Sequence, residues 1–325
     1  MQVIDFKPRK FIKPEICITG ASGFIGSSMS NILRNNGQDV FVWKRRTPFD
    51  FGRASIIVHF AGKVHQPRNS VQNTIEAFRK VNRDLTMEIA LHAVKKEIKK
   101  FIFISTVKVV GEKPGHYDIS SPCCPSDPYG ISKLEAESGL RKIFSSQSKS
   151  TCVILRLPMV YGPGNKGNML SLLSMSKKKI PLPLASVKSK RSMISVMNVC
   201  DAILTVINDT IQQRATVQTY FLNDGKDMTS AELYSAIFRE MNNRRGVFPI
   251  HGGFFQFIRK TAAVLNQIIE KKVTSIPDIV SRLFDEYRFS SLEFKEDYSW
   301  TPPVSIEQGI RETVDWYLSE KAQDN

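Results

Sequence analysis

Ile16-Cys17-Ile18-Thr19-Gly20-Ala21-Ser22-Gly23-Phe24-Ile25-Gly26 runs from an apolar stretch, through three spaced glycines, into a helical pattern over residues 25–35. The spacing gives each glycine a task. Gly20 permits a tight turn off the strand, Gly23 lets the backbone approach a pyrophosphate, and Gly26 lets the helix pack close to the strand. The free N–H groups at the helix start then face the negative charge. Glycines alone are a weak sign. Between a first strand and a helix, close to the N-terminus, they form a dinucleotide-binding fingerprint. The cofactor contacts expected there are Gly20, Gly23, Phe24, Ile25 and Gly26.

Outward from this stretch, strand-like and helix-like segments alternate. Residues 39–43 and 55–60 are short apolar runs, and a long helical pattern covers 70–96. Residues 101–106 read as a strand, a helix starts near Pro128, and 151–157 read as the next strand. Such alternation predicts a parallel sheet with helices on both faces. The expected fold class is α/β, a Rossmann-type doubly wound parallel sheet with a smaller C-terminal substrate domain. Residues 1–162 plus about 196–224 are expected to form the dinucleotide half, and about 163–195 plus 225–325 the substrate half. Past Gly162 the pattern loosens, with a helix expected over 196–208 and a strand over 219–222. Thr229 with Glu232, and Ser305 with Gln308, read as capping boxes ahead of two further helices. Residues 254–269 have the spacing of an amphipathic helix, expected to pack on its own domain rather than lie on a membrane.

Composition narrows the class. A hydrophobic share of 42% in 325 residues is enough to bury a core, which argues against disorder. No run reaches the roughly 18 apolar residues of a spanning helix. Residues 1–13 carry charges and no apolar signal-peptide core, so a cytoplasmic location is expected. The five cysteines fit neither a disulfide framework nor a zinc pattern, and no metal site is expected. The net charge of +15 would attract polyanions or phosphorylated small molecules. For the clusters at Lys95, Lys96, Lys99 and Lys100 and at residues 177–179, a solvated surface is the simpler reading.

Two constellations carry chemistry. Asp127 and Pro128 read as the N-cap and first position of a helix. Tyr129 and Lys133 then lie one turn apart on one face. A nearby ammonium would lower the Tyr129 pKa and let the phenol exchange a proton with a substrate hydroxyl. Ser105 and Thr106 end the preceding strand, where active sites of such sheets lie. The second constellation is Val42-Trp43-Lys44-Arg45-Arg46. It places cations where many such folds keep a ribose-binding carboxylate, so Lys44 or Arg45 is expected to favour NADP, with NAD possible.

These motifs resemble the extended short-chain dehydrogenase/reductases, in their nucleotide-sugar epimerase/dehydratase branch. The resemblance rests on the glycine stretch, His59-Phe60-Ala61-Gly62, Asn82 with Thr86, Ser105-Thr106, Tyr129-Gly130-Ile131-Ser132-Lys133 and Arg156-Leu157-Pro158-Met159-Val160-Tyr161-Gly162-Pro163-Gly164. Residues 107–112 and 165–173 look most like enzymes that reduce a UDP-4-keto-6-deoxy sugar toward UDP-N-acetylquinovosamine. UDP-hexose 4-epimerases share most of these features. The resemblance implies Thr106 as the catalytic hydroxyl with Ser105 beside it, Tyr129 as acid/base, and Lys133 orienting the nicotinamide ribose. It implies Ala61, Gly62, Asn82 and Ser105 on the cofactor side. Thr106, Lys108, Asn168 and Arg191 fall on the substrate side, with Asn168 and Arg191 holding the diphosphate. It also suggests a homodimer through paired helices.

The chain departs from the family pattern at two places. In the 4,6-dehydratases an Asp-Glu pair follows the catalytic Thr, whereas Val107 and Lys108 stand here, which argues against elimination of water. Also, only residues 47–54 separate the second strand's basic end from Ser55. At about 3.3–3.6 Å each they can cross the sheet but cannot also supply a helix and a strand. The sheet is therefore expected to be short at one edge. The expected function is reduction of the C4 ketone of a UDP-4-keto-6-deoxy-hexosamine, with a UDP-hexose 4-epimerase as the alternative. A dinucleotide- or RNA-binding regulator is the reading from another class. Thr106, Tyr129 and Lys133 together weigh against it, and no nucleic-acid partner is expected.

Overall fold

The computed structural model describes residues 15–44, 49–64, 74–145, 149–165, 167–210, 216–243, 246–249 and 285–323. The chain opens with β1 (Ile16–Thr19), α1 (Phe24–Asn35), β2 (Val40–Trp43) and β3 (Ile56–His59). A helix follows in three parts: α2 (Ile75–Phe78), a π-helical stretch (Arg79–Asp84) and α3 (Leu85–Lys95). Next come β4 (Lys100–Thr106), a 3-10 turn (Val107–Val110), β5 (Gly115–Tyr117), α4 (Pro128–Ser145), β6 (Thr151–Leu157) and β7 (Met159–Tyr161). The second half holds α5 (Asn168–Lys177), β8 (Lys190–Arg191), β9 (Met193–Ser195), α6 (Val196–Asn208), β10 (Val217–Phe221), β11 (Met228–Thr229) and α7 (Ser230–Glu240). It ends with β12 (Tyr287–Phe289), α8 (Leu292–Tyr298) and α9 (Ile306–Gln323). The 70–96 pattern is thus interrupted by the π-helical stretch, and its first residues, like residues 254–269, lie outside the described residues.

Six parallel strands form the main sheet in the order β10-β6-β4-β3-β1-β2. Both faces are covered, which is why these strands read as near-continuous apolar runs. Alternate residues go to opposite layers. Ile16, Ile18, Ile56, Val58 and Ile102 pack with Met29 and Leu33 of α1 and with Val199 and Ile203 of α6. Cys17, Ile57, Phe101 and Phe103 pack with Ile89 of α3 and with Ala136 and Leu140 of α4. This is the doubly wound sheet expected from the glycine stretch. Strand order reverses between β1 and β3, so their carboxyl ends, Thr19 and His59, flank the crevice where such sheets bind ligands.

The short edge is also as expected. Residues 49–55 form neither helix nor strand, and β2 is the sheet's last strand among the described residues. Aromatic side chains pack beside β2. Phe49 stacks on Trp43 at 5.7 Å and on His92 at 4.2 Å between ring centroids, and Phe51 is buried.

Smaller sheets follow: the pair β7-β9, and the four strands β11-β8-β12-β5. The Thr229–Glu232 capping box is complete. At α9 the Ser305 hydroxyl accepts the Gln308 N–H, but the Gln308 amide bonds Glu312, one turn on, instead of reaching back. Lys100 of the first basic cluster is structural: its ammonium donates to the carbonyls of Val206 and Asp209 at 2.5 and 2.8 Å, at the C-terminal end of α6. Among the described residues no helix is long and apolar enough to cross a membrane.

Candidate active site

The glycine loop leaves β1 and enters α1 at the reversal point. Gly20 has φ +72°, and a Cβ there would lie 2.6 Å from the Ala61 nitrogen. A Cβ on Gly26 would lie 2.3 Å from the Gly20 carbonyl oxygen, so helix and loop touch as the spacing requires. Gly23 caps α1 and brings no side-chain oxygen, and the first turn holds no acidic residue. The N–H groups of that turn are thus left for an anionic ligand.

A buried polar chain fixes the floor of this crevice. Thr86 Oγ1 donates to the Asn82 carbonyl at 2.7 Å, so His59 Nε2 must donate to Thr86 across 2.9 Å. His59 Nδ1 then accepts from Thr19 Oγ1 at 2.6 Å, and the same oxygen accepts the Ala61 N–H. Burial holds His59 down to about 3, with the nearby Lys133 adding to the effect, so the ring is neutral. Asn82 lies in the π-helical stretch, a feature frequent at functional sites. Its amide pairs with the Lys63 backbone at 2.7 and 3.0 Å, next to Gly62. It also donates to Ser132 Oγ, which in turn donates to the Tyr129 carbonyl. Asn82 thereby ties the loop after β3 to the helix that carries Tyr129.

Thr106 ends β4 and Tyr129 lies in the first turn of α4, and their hydroxyls are hydrogen-bonded. Asp127 caps the helix through Oδ1, which accepts the Gly130 N–H at 2.6 Å, as expected of that residue. Burial pushes Tyr129 up to about 12; the Thr106 hydrogen bond opposes this and the Asp127 carboxylate adds to it. The expected lowering by Lys133 is not seen, because the Lys133 ammonium is turned to β4. It donates to the Ile104 carbonyl at 2.6 Å and sits 3.8 Å from the Phe103 ring centroid. Burial brings this ammonium down to about 7, opposed by Glu137. With its pKa raised by burial, Tyr129 is a protonated phenol at neutral pH.

Ser105 and Thr106 are neighbours on a strand and point to opposite faces. Ser105 Oγ donates to Glu137 Oε1 at 2.6 Å, so Thr106 is the hydroxyl offered to Tyr129. Glu137 also forms a buried ion pair with Arg156 of β6 at 2.7 Å. The sequence reading missed Glu137. The signal was its place in the series Tyr129, Lys133, Glu137, one turn apart along a single helix face.

On the far side of Thr106, Tyr287 donates to the carbonyls of Val107 and Gly111. The Arg191 guanidinium lies 5.2 Å from the Tyr287 ring centroid. Arg191, expected on a diphosphate, is thereby linked to the turn that follows Thr106. Lys108, in that turn, pairs with Glu112 at 3.1 Å and with Asp127. Asn168 is the first residue of α5. Lys44 is exposed at the end of β2, and Arg45 lies outside the described residues.

Comparison with known proteins agrees with this geometry. Residues 16–217 match the model of the NAD dependent epimerase/dehydratase family. The chain is 28% identical to a UDP-glucose 4-epimerase of Vibrio cholerae, over 93% of this chain and 95% of that one. Among solved structures it is similar to UDP-glucuronic acid 4-epimerase from Bacillus cereus in complex with NAD. The TM-score is 0.71 at 15% identity, covering 94% of this chain and 99% of that one. It is also similar to RMD from Pseudomonas aeruginosa complexed with NADPH, at TM-score 0.69 and 18% identity, with the same coverage.

Proposed function

The chain belongs to the NAD dependent epimerase/dehydratase family, and we propose that it is a nicotinamide-dependent oxidoreductase acting at C4 of a UDP-sugar. The reaction is reduction of the C4 ketone of a UDP-4-keto-6-deoxy-hexosamine, with NADPH preferred. The observation that carries this reading is the Thr106–Tyr129 hydroxyl pair beside the buried Lys133, at the strand ends next to the glycine loop. The uncapped start of α1 fits a dinucleotide pyrophosphate. When bound, the reduced nicotinamide supplies hydride to C4.

The chain's own residues manage the oxygen and the proton. Thr106 holds the ketone oxygen. Tyr129, kept protonated by burial, hydrogen-bonds the same oxygen and delivers its proton as the alkoxide forms. The phenolate left behind takes a new proton from solvent. Ala61, Gly62 and Asn82 line the cofactor side, with Lys133 orienting the nicotinamide ribose, while Asn168 and Arg191 hold the diphosphate. We assign residues 1–162 plus about 196–224 to the cofactor half and the remainder to the sugar half. A phenol that starts protonated suits reduction. Lys108 in place of a dehydratase carboxylate disfavours loss of water. The short edge suits exchange of spent cofactor at each turnover.

The second reading is a UDP-hexose 4-epimerase, favoured by the Vibrio cholerae relative that aligns along nearly the whole chain. Two assays separate them. One gives the enzyme UDP-glucose and UDP-N-acetylglucosamine without added cofactor. The other supplies a UDP-4-keto-6-deoxy sugar with NADPH. Consumption of NADPH in the second supports the reductase; rapid C4 inversion in the first with no consumption in the second replaces it by the epimerase.

A further inference from the structure

We propose that Lys108 is a positioning residue for the Thr106–Tyr129 pair, strapping the start of α4 to the turn that follows β4. The inference rests on the assignment of Tyr129 as the proton donor. Four contacts close a ring around the two hydroxyls. The Lys108 backbone N–H donates to Thr106 Oγ1 at 3.3 Å. Its ammonium pairs with Asp127 Oδ2. The other oxygen of Asp127 accepts the Gly130 N–H and so caps the helix beside Tyr129. The Tyr129–Thr106 hydrogen bond completes the ring. Backbone packing reinforces it: a Cβ on Gly130 would come within 2.8 Å of the Lys108 carbonyl oxygen, so the turn and the helix are in contact there.

The strap is electrostatic as well as mechanical. Asp127 serves as N-cap two residues before Tyr129, and its carboxylate opposes ionisation of the phenol. Lys108 lies on that carboxylate with its side chain only a quarter exposed, and Asp127 is more buried still, at 24% and 16%. Screening by solvent is weaker there than at an open surface. Other charged groups among the described residues lie near this turn: Arg191 stands 5.2 Å from the ring of Tyr287, which bonds the Val107 and Gly111 carbonyls. Glu112 shares Lys108. Lys133, on the same helix, is turned to the Ile104 carbonyl. The neighbouring helix presents the Phe78 ring, 6.2 Å from that of Tyr129, with the Lys63 ammonium 5.6 Å from the Phe78 centroid. Lys108 thus sets a positive charge directly against the Asp127 carboxylate.

The test uses Lys108→Met, Lys108→Arg, Asp127→Ser, which keeps a capping oxygen without the charge, and the double variant Lys108→Met/Asp127→Ser. The readouts are kcat and KM, with a UDP-4-keto-6-deoxy sugar and NADPH, and the melting temperature of each variant. Lys108→Met should lower kcat roughly tenfold with KM changed less than about threefold. Lys108→Arg should behave as wild type. Asp127→Ser should lose kcat as Lys108→Met does, and the double variant should lose no more than either, because each substitution opens the same ring. An unchanged kcat in Lys108→Met overturns the proposal, and so do losses that multiply in the double variant. So does a raised KM with unchanged kcat, which would place Lys108 on the substrate instead. If Lys108→Met does not fold, Lys108→Arg and Asp127→Ser decide: the first must match wild type and the second must lose kcat. Near-normal activity of Tyr129→Phe would refute the catalytic reading, whereas non-additive losses of melting temperature between Lys108→Met and Asp127→Ser test the strap independently of turnover.

Discussion

Replacing Glu137 by Gln removes one charge and almost no volume from the ion pair behind the active site. The amide oxygen brought in by Glu137→Gln can still accept the Ser105 hydroxyl, which lies 2.6 Å from the native carboxylate, so the variant isolates the charge. What it leaves is the Arg156 guanidinium, whose side chain is 4% exposed, against a neutral partner. Breaking a buried pair from one side costs about 3–5 kcal/mol, because the surviving charge is desolvated without compensation. Converted at roughly 2–4 °C per kcal/mol for a chain of this size class, the melting temperature should fall by on the order of 10 °C. The assay is equilibrium urea unfolding followed by tryptophan fluorescence and circular dichroism, with thermal melts alongside. The double variant Glu137→Leu/Arg156→Met replaces both charges by apolar groups and should recover most of the loss. A loss below about 1 kcal/mol in Glu137→Gln, or a double variant no better than the single, would show that water reaches Arg156 and that the pair is not a buried electrostatic unit.

Tyr129→Phe should lose at least about a hundredfold in kcat and stay within about 1–2 kcal/mol of wild-type stability, since it removes an acid/base group and one neutral hydrogen bond; near-normal turnover would end the catalytic assignment. NADPH should bind more tightly than NADH by about tenfold, the worth of one charge-assisted contact, and Lys44→Glu should narrow the difference. Fluorescence titration of both cofactors decides it, and equal affinities would make the basic end of β2 mere surface. Burial depresses Lys133 from 10.5 to about 7. Between those values the unfolded chain holds a proton that the folded chain has released, so stability should be lost as pH falls through that window. Lys133→Met should flatten the rise in melting temperature from about pH 7 to about pH 10, and parallel curves for the two proteins would refute the assignment.

What could be read from the sequence was local. Glycines at 20, 23 and 26 announce their turn by spacing. The helix expected over 196–208 is α6, at whose start the Ser195 hydroxyl accepts the Asn198 N–H. The short edge followed from counting residues between Arg46 and Ser55. What escaped depends on residues far apart in the chain. Glu137 meets Arg156 across 19 positions and Ser105 across 32, so nothing near Ser105 shows that its hydroxyl turns inward. Lys100 looks like one more surface cation until the end of α6 arrives 106 residues later. The direction of the Lys133 ammonium is a competition between a tyrosine and a backbone carbonyl, and helical spacing leaves it open.

The stack at the short edge gives the protein a built-in optical probe. The chain has three tryptophans. Trp300 is buried with its indole N–H on Asp201, and Trp316 packs in the apolar cluster of α7 and α9. Trp43 alone ends a strand of the main sheet, one residue before Lys44, with Phe49 and then His92 layered against it. Its emission should respond to occupancy of the neighbouring crevice. With Trp300 and Trp316 replaced by Phe, arrival and departure of a dinucleotide become measurable on one native chromophore, label-free and on the stopped-flow timescale.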